Sequence, residues 1–142
     1  FASEETNCYQ ASLYLDGKKI AIVSNDGRGG CDYFHKEEGV SPTLEREIHE
    51  YFKTLPNIPC EYIEDGLSQD LETWCGEQVT RWMYAKELKR HLKKGSMIKD
   101  GKNMYTWKGH FTSEVLKKHH PDAIIFNDLP FDEALTHYMG EV

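Results

Sequence analysis

The segment Ser24-Asn25-Asp26-Gly27-Arg28-Gly29-Gly30 concentrates the residue types best suited to holding a ligand. Glycines let a backbone approach a bound group closely and aim successive N–H donors at one point, the arrangement of an anion-binding nest. Arg28 adds a planar cation able to grip a phosphate or carboxylate through two hydrogen bonds. Tyr33, Phe34 and His35 follow at once, so a ring can stack on a base. Ser24, Asn25, Asp26, Gly27, Arg28, Gly29, Gly30, Tyr33 and His35 therefore form a candidate site for a nucleotide or another anionic small ligand. The pattern is neither the phosphate-binding G-x-x-x-x-G-K-[ST] loop nor a G-x-G-x-x-G turn ahead of a helix, so neither mechanism applies. A tight bend after a hairpin would use the same residues, and that alternative stays open at this level.

An enzyme acting on a nucleotide or nucleic acid through Asp26, Arg28 and His35 is the alternative reading. Against it, no nucleophile can be paired with a base by spacing, and neither HExxH nor GxSxG occurs. Binding without catalysis is therefore the favoured expectation, with no cofactor. Cys31 and His35 are spaced like half of a zinc site, but no second half follows, and no metal is expected. The scattered Cys8, Cys31, Cys60 and Cys75 are expected to be free thiols. Glu61, Glu64 and Asp65 form an acidic cluster without a matching lysine motif. Asn127 and Asp128 read as helix caps. His119 and His120, beside Lys117 and Lys118, read as complements to a helix dipole.

The elements that must position the loop follow from turn and periodicity signals. Asp16-Gly17 predicts a hairpin over residues 9–24, pairing Leu15 with Lys18, Leu13 with Ile20 and Ala11 with Ile22. Asp100-Gly101 predicts a second hairpin over 96–107. Ser41 and Pro42 open a helix to residue 55, with Leu44, Ile48, Tyr51, Phe52 and Leu55 as a core stripe. Residues 68–94 predict a helix capped by Ser68 and interrupted near 84–86, where Leu88 and Leu92 leave the apolar stripe. Helices over 112–119 and 130–139 and a strand over 123–126 complete an α+β chain, read as a single domain over 1–142. Residues 107–126 are spaced for a βαβ crossover. Leu13, Ile20, Ile22, Leu44, Ile48, Phe52, Leu71, Val79, Ile124, Ile125 and Leu135 are the expected core, and Trp74, Trp82 and Trp107 are expected to be mainly buried.

The chain has 142 residues, 39% hydrophobic and 29% charged, which suits one globular domain. A formal net charge of −7 disfavours general nucleic-acid binding, which needs a basic footprint. It suits an acidic protein that docks on a basic partner. No run approaches a membrane span of about 20 apolar residues, and residues 1–10 lack the pattern of a signal peptide. The expectation is a cytoplasmic protein whose partner is a host protein or an anionic small ligand.

The runs DGKKIAIVSNDGRGGCDYFH (16–35) and KKHHPDAIIFNDLPFDEAL (117–135) resemble segments of small uncharacterised proteins of bacteriophage and bacterial genomes. The resemblance implies a phage or mobile-element accessory protein in the host cytoplasm. Small accessory proteins of phages often block host defences by binding. The resemblance assigns no catalytic residue.

Overall fold

Backbone that only a few residue types tolerate sets the first hairpin. Asp16 and Gly17 both take positive φ, 49° and 80°, as a type I′ turn between twisted strands requires. They join β1 (Tyr9–Leu15) to β2 (Lys18–Asn25), and β3 (Tyr33–Lys36) pairs with the other edge of β2 to give the antiparallel order β1-β2-β3. The computed structural model describes residues 8–141. The packing divides between Thr80 and Arg81 into two compact units.

The register of this hairpin departs from expectation. Leu15 pairs with Lys18, but Leu13 pairs with Ala21 and Ala11 with Val23, because the register shifts between Leu13 and Tyr14. The extra residue, Ile20, makes a β-bulge, which lets the consecutive Ile20 and Ala21 both be buried. Beyond it the buried set is Ala21, Val23 and Asn25, while Ile22, expected in the core, is half-buried.

Helix α1 (Pro42–Lys53) starts where Leu44 N donates to Ser41 Oγ at 3.1 Å. Its Leu44 and Ile48 pack against Ile20, Ala21 and Val40, but no residue of α1 is fully buried. Tyr51 lies outside the stripe, 60% exposed. The short hairpin β4 (Ile58–Cys60) with β5 (Ile63–Leu67) was not foreseen. Helix α2 (Leu71–Lys94) is unbroken, and its cap is Asp70, whose Oδ1 accepts Thr73 N at 2.7 Å. Leu71 and Cys75 serve the core of the first unit and Leu88 that of the second. The apolar stripe therefore moves around α2 with no break in the helix. Trp82, expected inside, is 62% exposed, with Lys86 Nζ 5.1 Å from its ring centre.

The second unit is built on β6 (Met97–Asp100), flanked by β7 (Asn103–Thr106) and β8 (Ile124–Ile125) in the order β7-β6-β8. Asp100 pairs with Asn103, so the turn is centred on Gly101-Lys102, one residue later than expected. Both outer strands run antiparallel to β6 and hence parallel to each other. Helix α3 (Ser113–His119), capped by Thr112, is thus a crossover between parallel strands with one strand between them. Alternation along β6 serves two core clusters. Met97 packs with Leu88, Phe126 and the Ala134 and Leu135 of α4 (Phe131–Tyr138), and Ile98 packs with Leu116, Ala123 and Ile125.

Next to β6 the backbone comes very close to itself. Gly95 and Gly109 form a parallel bridge, and a Cβ on Gly95 would lie within 2.6 Å of Gly109 O and closer still to Trp107 O. Buried Ser96 accepts Phe111 N on its Oγ at 2.8 Å. Asn127 is not a simple cap. Its Oδ1 accepts Met97 N at 2.8 Å and its Nδ2 donates to Gly95 O at 3.0 Å, so its carboxamide continues the β8 side of β6 by a side chain.

Candidate functional site

The loop between β2 and β3 hangs on one side chain. Asn25 is 6% exposed at the end of β2. Its Nδ2 donates to Asp32 Oδ1 at 2.7 Å and to Gly30 O at 3.0 Å, and its Oδ1 accepts Gly27 N at 2.8 Å. Tyr9, which faces Asn25 across the β1–β2 pair, donates its hydroxyl to Asp32 Oδ2 at 2.7 Å. Burial and then this bond to Asp32 push the Tyr9 hydroxyl far above its ordinary pKa, so it stays a donor. Gly27 and Gly29 take left-handed φ of 80° and 86°; Gly30 does not, and a Cβ there would meet open space.

This framework surrounds a cleft of about 680 Å³ lined by Cys8, Tyr9, Gln10, Ser24, Asn25, Asp26, Arg28 and Tyr33. The volume is in the range of small-ligand sites. Gln10, Ser24 and Tyr33 are direct cross-strand neighbours on β1, β2 and β3, so they form one polar row on one face of the sheet. Arg28 is exposed, and its guanidinium makes no ion pair or hydrogen bond among the described residues.

Five of the nine expected ligand-binding residues, Ser24, Asn25, Asp26, Arg28 and Tyr33, come together in the lining. Gly27, Gly29 and Gly30 shape the loop backbone without lining the cleft. His35 also stays out of the lining and packs on Tyr33, with ring centres 6.4 Å apart. The backbone nest is modified. Gly27 N is used by Asn25 Oδ1 and Arg28 N by Asp26 Oδ1 at 3.1 Å, so those two amides serve the loop itself. Among the described residues no hydrogen bond or ion pair joins the side chains of Asp26, Arg28 and His35 to one another; Asp26 meets only the Arg28 main chain.

Gln10, Tyr9 and Cys8 were missed. The bulge hid Gln10: the unbulged register sets it opposite Val23, whereas Ser24 is its partner. Asp32 was missed because its role, receiving Asn25 and Tyr9, depends on contacts across three strands.

None of the four cysteines is joined in a disulfide. Among the described residues no three of His, Cys, Asp and Glu are grouped to hold a metal ion. No helix among them is long and apolar enough to cross a membrane. No protein-family model, curated protein or solved structure matches the chain.

Proposed function

We propose that the protein acts by binding, taking up a small anionic ligand with a flat ring, of the nucleotide class, in the Ser24–Arg28 cleft. The observation that carries this reading is the unpaired Arg28 guanidinium in the lining of a cleft shared with the row Gln10-Ser24-Tyr33. An arginine without a carboxylate partner is available for a ligand's phosphate. Tyr33, 55% exposed, offers a ring face for stacking, and Ser24 and Gln10 can read polar edges. The resemblance of residues 16–35 and 117–135 to phage and bacterial segments supports the role of an accessory protein in the host cytoplasm. Sequestering a nucleotide-like ligand would there deprive a host defence factor of it. Catalysis by Asp26, Arg28 and His35 has less support, since His35 lies outside the lining and Asp26 is turned to the Arg28 amide.

Calorimetry against a panel of nucleotides, followed by chromatography of the mixtures, tests the proposal. Intact ligand should be recovered. Arg28→Ala should lose a charge-assisted bond of about 1.5–3 kcal/mol, one to two decades in Kd. A panel without any binder, or equal affinity in Arg28→Ala, refutes this site; converted ligand would make the protein an enzyme.

A further inference from the structure

The formal charge of −7 is unevenly distributed. Residues 1–80 hold 6 Lys and Arg against 16 Asp and Glu, whereas residues 81–142 hold 11 against 8. The second unit therefore carries a net positive formal charge, and Tyr105 and Phe111 are among its exposed aromatic residues. A cleft of about 430 Å³ is lined by Trp107, Phe111, Val115, Leu116, His119 and His120. The Trp107 and Phe111 rings meet edge to face at 6.2 Å, and Phe111 is 48% exposed. Tyr105, on the edge strand β7 and 40% exposed, extends the same wall by packing on His120 with ring centres 5.1 Å apart.

Asp100 Oδ2 holds His120 Nδ1 at 2.8 Å and fixes the ring, whose Nε2 makes no hydrogen bond among the described residues. Lys108 and Lys118 are the chain neighbours of Trp107 and His119. Both are exposed, and neither is ion-paired with a described residue. Glu114 is the one acidic side chain of α3.

We infer that this surface of the second unit binds single-stranded nucleic acid, a base entering the Trp107–Phe111 cleft while Lys108 and Lys118 hold the backbone phosphates. Ring faces accept any base, and cations set along the surface follow a strand. A free nucleotide would call for cations gathered at one point, whereas Lys108 and Lys118 belong to separate segments, the chain after β7 and helix α3. A duplex hides its base faces and offers nothing to stack. The site is separate from the Arg28 cleft and does not rest on the function proposed for it.

The test is fluorescence anisotropy of the full chain with a fluorescein-labelled dT 12-mer. Binding is expected at 50 mM salt and should weaken about sevenfold at 200 mM for two phosphate contacts, because releasing counterions into more concentrated salt gains less entropy. Phe111→Ala, at a half-exposed ring, should weaken binding about tenfold while circular dichroism stays unchanged. Lys108→Glu with Lys118→Glu should flatten the salt dependence, and Arg28→Ala should leave the affinity unchanged. No binding at 50 mM salt overturns the inference. So does a mononucleotide that competes as well as the 12-mer, a duplex bound equally well, or loss of binding in Arg28→Ala alone.

Discussion

Replacing Asn25 by aspartate changes one NH₂ into an oxygen without changing the shape of the side chain. Two hydrogen bonds go with it, to Asp32 Oδ1 at 2.7 Å and to Gly30 O at 3.0 Å. The first is to a charged acceptor and contributes about 1.5–3 kcal/mol; the second is neutral and contributes about 0.5–1.5 kcal/mol. The introduced carboxylate also faces that of Asp32, and two such groups in contact do not both stay ionised. The combined loss at neutral pH should be about 3 kcal/mol, a fall in Tm on the order of 10 °C. One proton shared by the pair would restore a donor, so the pair's pKa in the folded variant lies above its unfolded value. Stability contributed by that proton is full below the unfolded value and lost as pH rises through the folded one. The gap between Asn25→Asp and the parent should thus narrow from pH 7.5 to pH 5. Urea unfolding followed by circular dichroism at both pH values measures it. Equal stability at pH 7.5, or a large gap that ignores pH, would refute the account of Asn25 as the post of the loop.

Gly29→Ala should cost about 1–2 kcal/mol for its left-handed backbone, whereas Gly30→Ala should be nearly neutral, as thermal melts of the pair would reveal. Gly95→Ala should cost about 3 kcal/mol or more, since its Cβ would overlap main-chain oxygens that cannot withdraw; urea unfolding measures this. Asp70→Ala should remove about 1 kcal/mol of cap stabilisation at pH 7. Hydrogen bonds from Thr73 lower the Asp70 pKa, so this contribution is full above the usual carboxylate range and disappears as pH falls through the depressed value; unfolding at pH 7 and pH 2 checks the sign. Burial, with Asp32 and Glu72, pushes the Cys75 thiol up to about 11, so thiol labelling at pH 8 should reach exposed Cys31 fast and Cys75 only on unfolding.

Local signals made most of the α+β architecture legible. Asp16-Gly17, Ser41-Pro42 and Thr112 act within a few residues of themselves, and the hairpin and helices they announce are present. What escaped depends on distant partners. The bulge at Ile20 answers to packing against Val40 and α1, and a hairpin read alone has no reason to include it. The second apolar stripe of α2 looks like a break until Leu88 is seen among Met97, Phe126 and Leu135. Strand β3 carries Tyr33 and His35, residues read first for their rings, though their backbone is what pairs with β2. At the site, the glycine-rich loop and Arg28 stand out by composition, whereas Gln10 and Asp32 join only through the sheet.

The Asn127 carboxamide has a consequence for how molecules of this protein meet. β8 contributes only two residues, which would leave Gly95 O and Met97 N at the side of β6 facing outward with nothing to bond. An open pair of that kind is a template for a strand from a neighbouring molecule, the first step of edge-to-edge aggregation. A side chain carries an oxygen and an NH₂ like a peptide group but offers no continuing strand. Asn127 therefore fills both positions, and beyond the short β8 this side of β6 offers a second chain no open pair to bond.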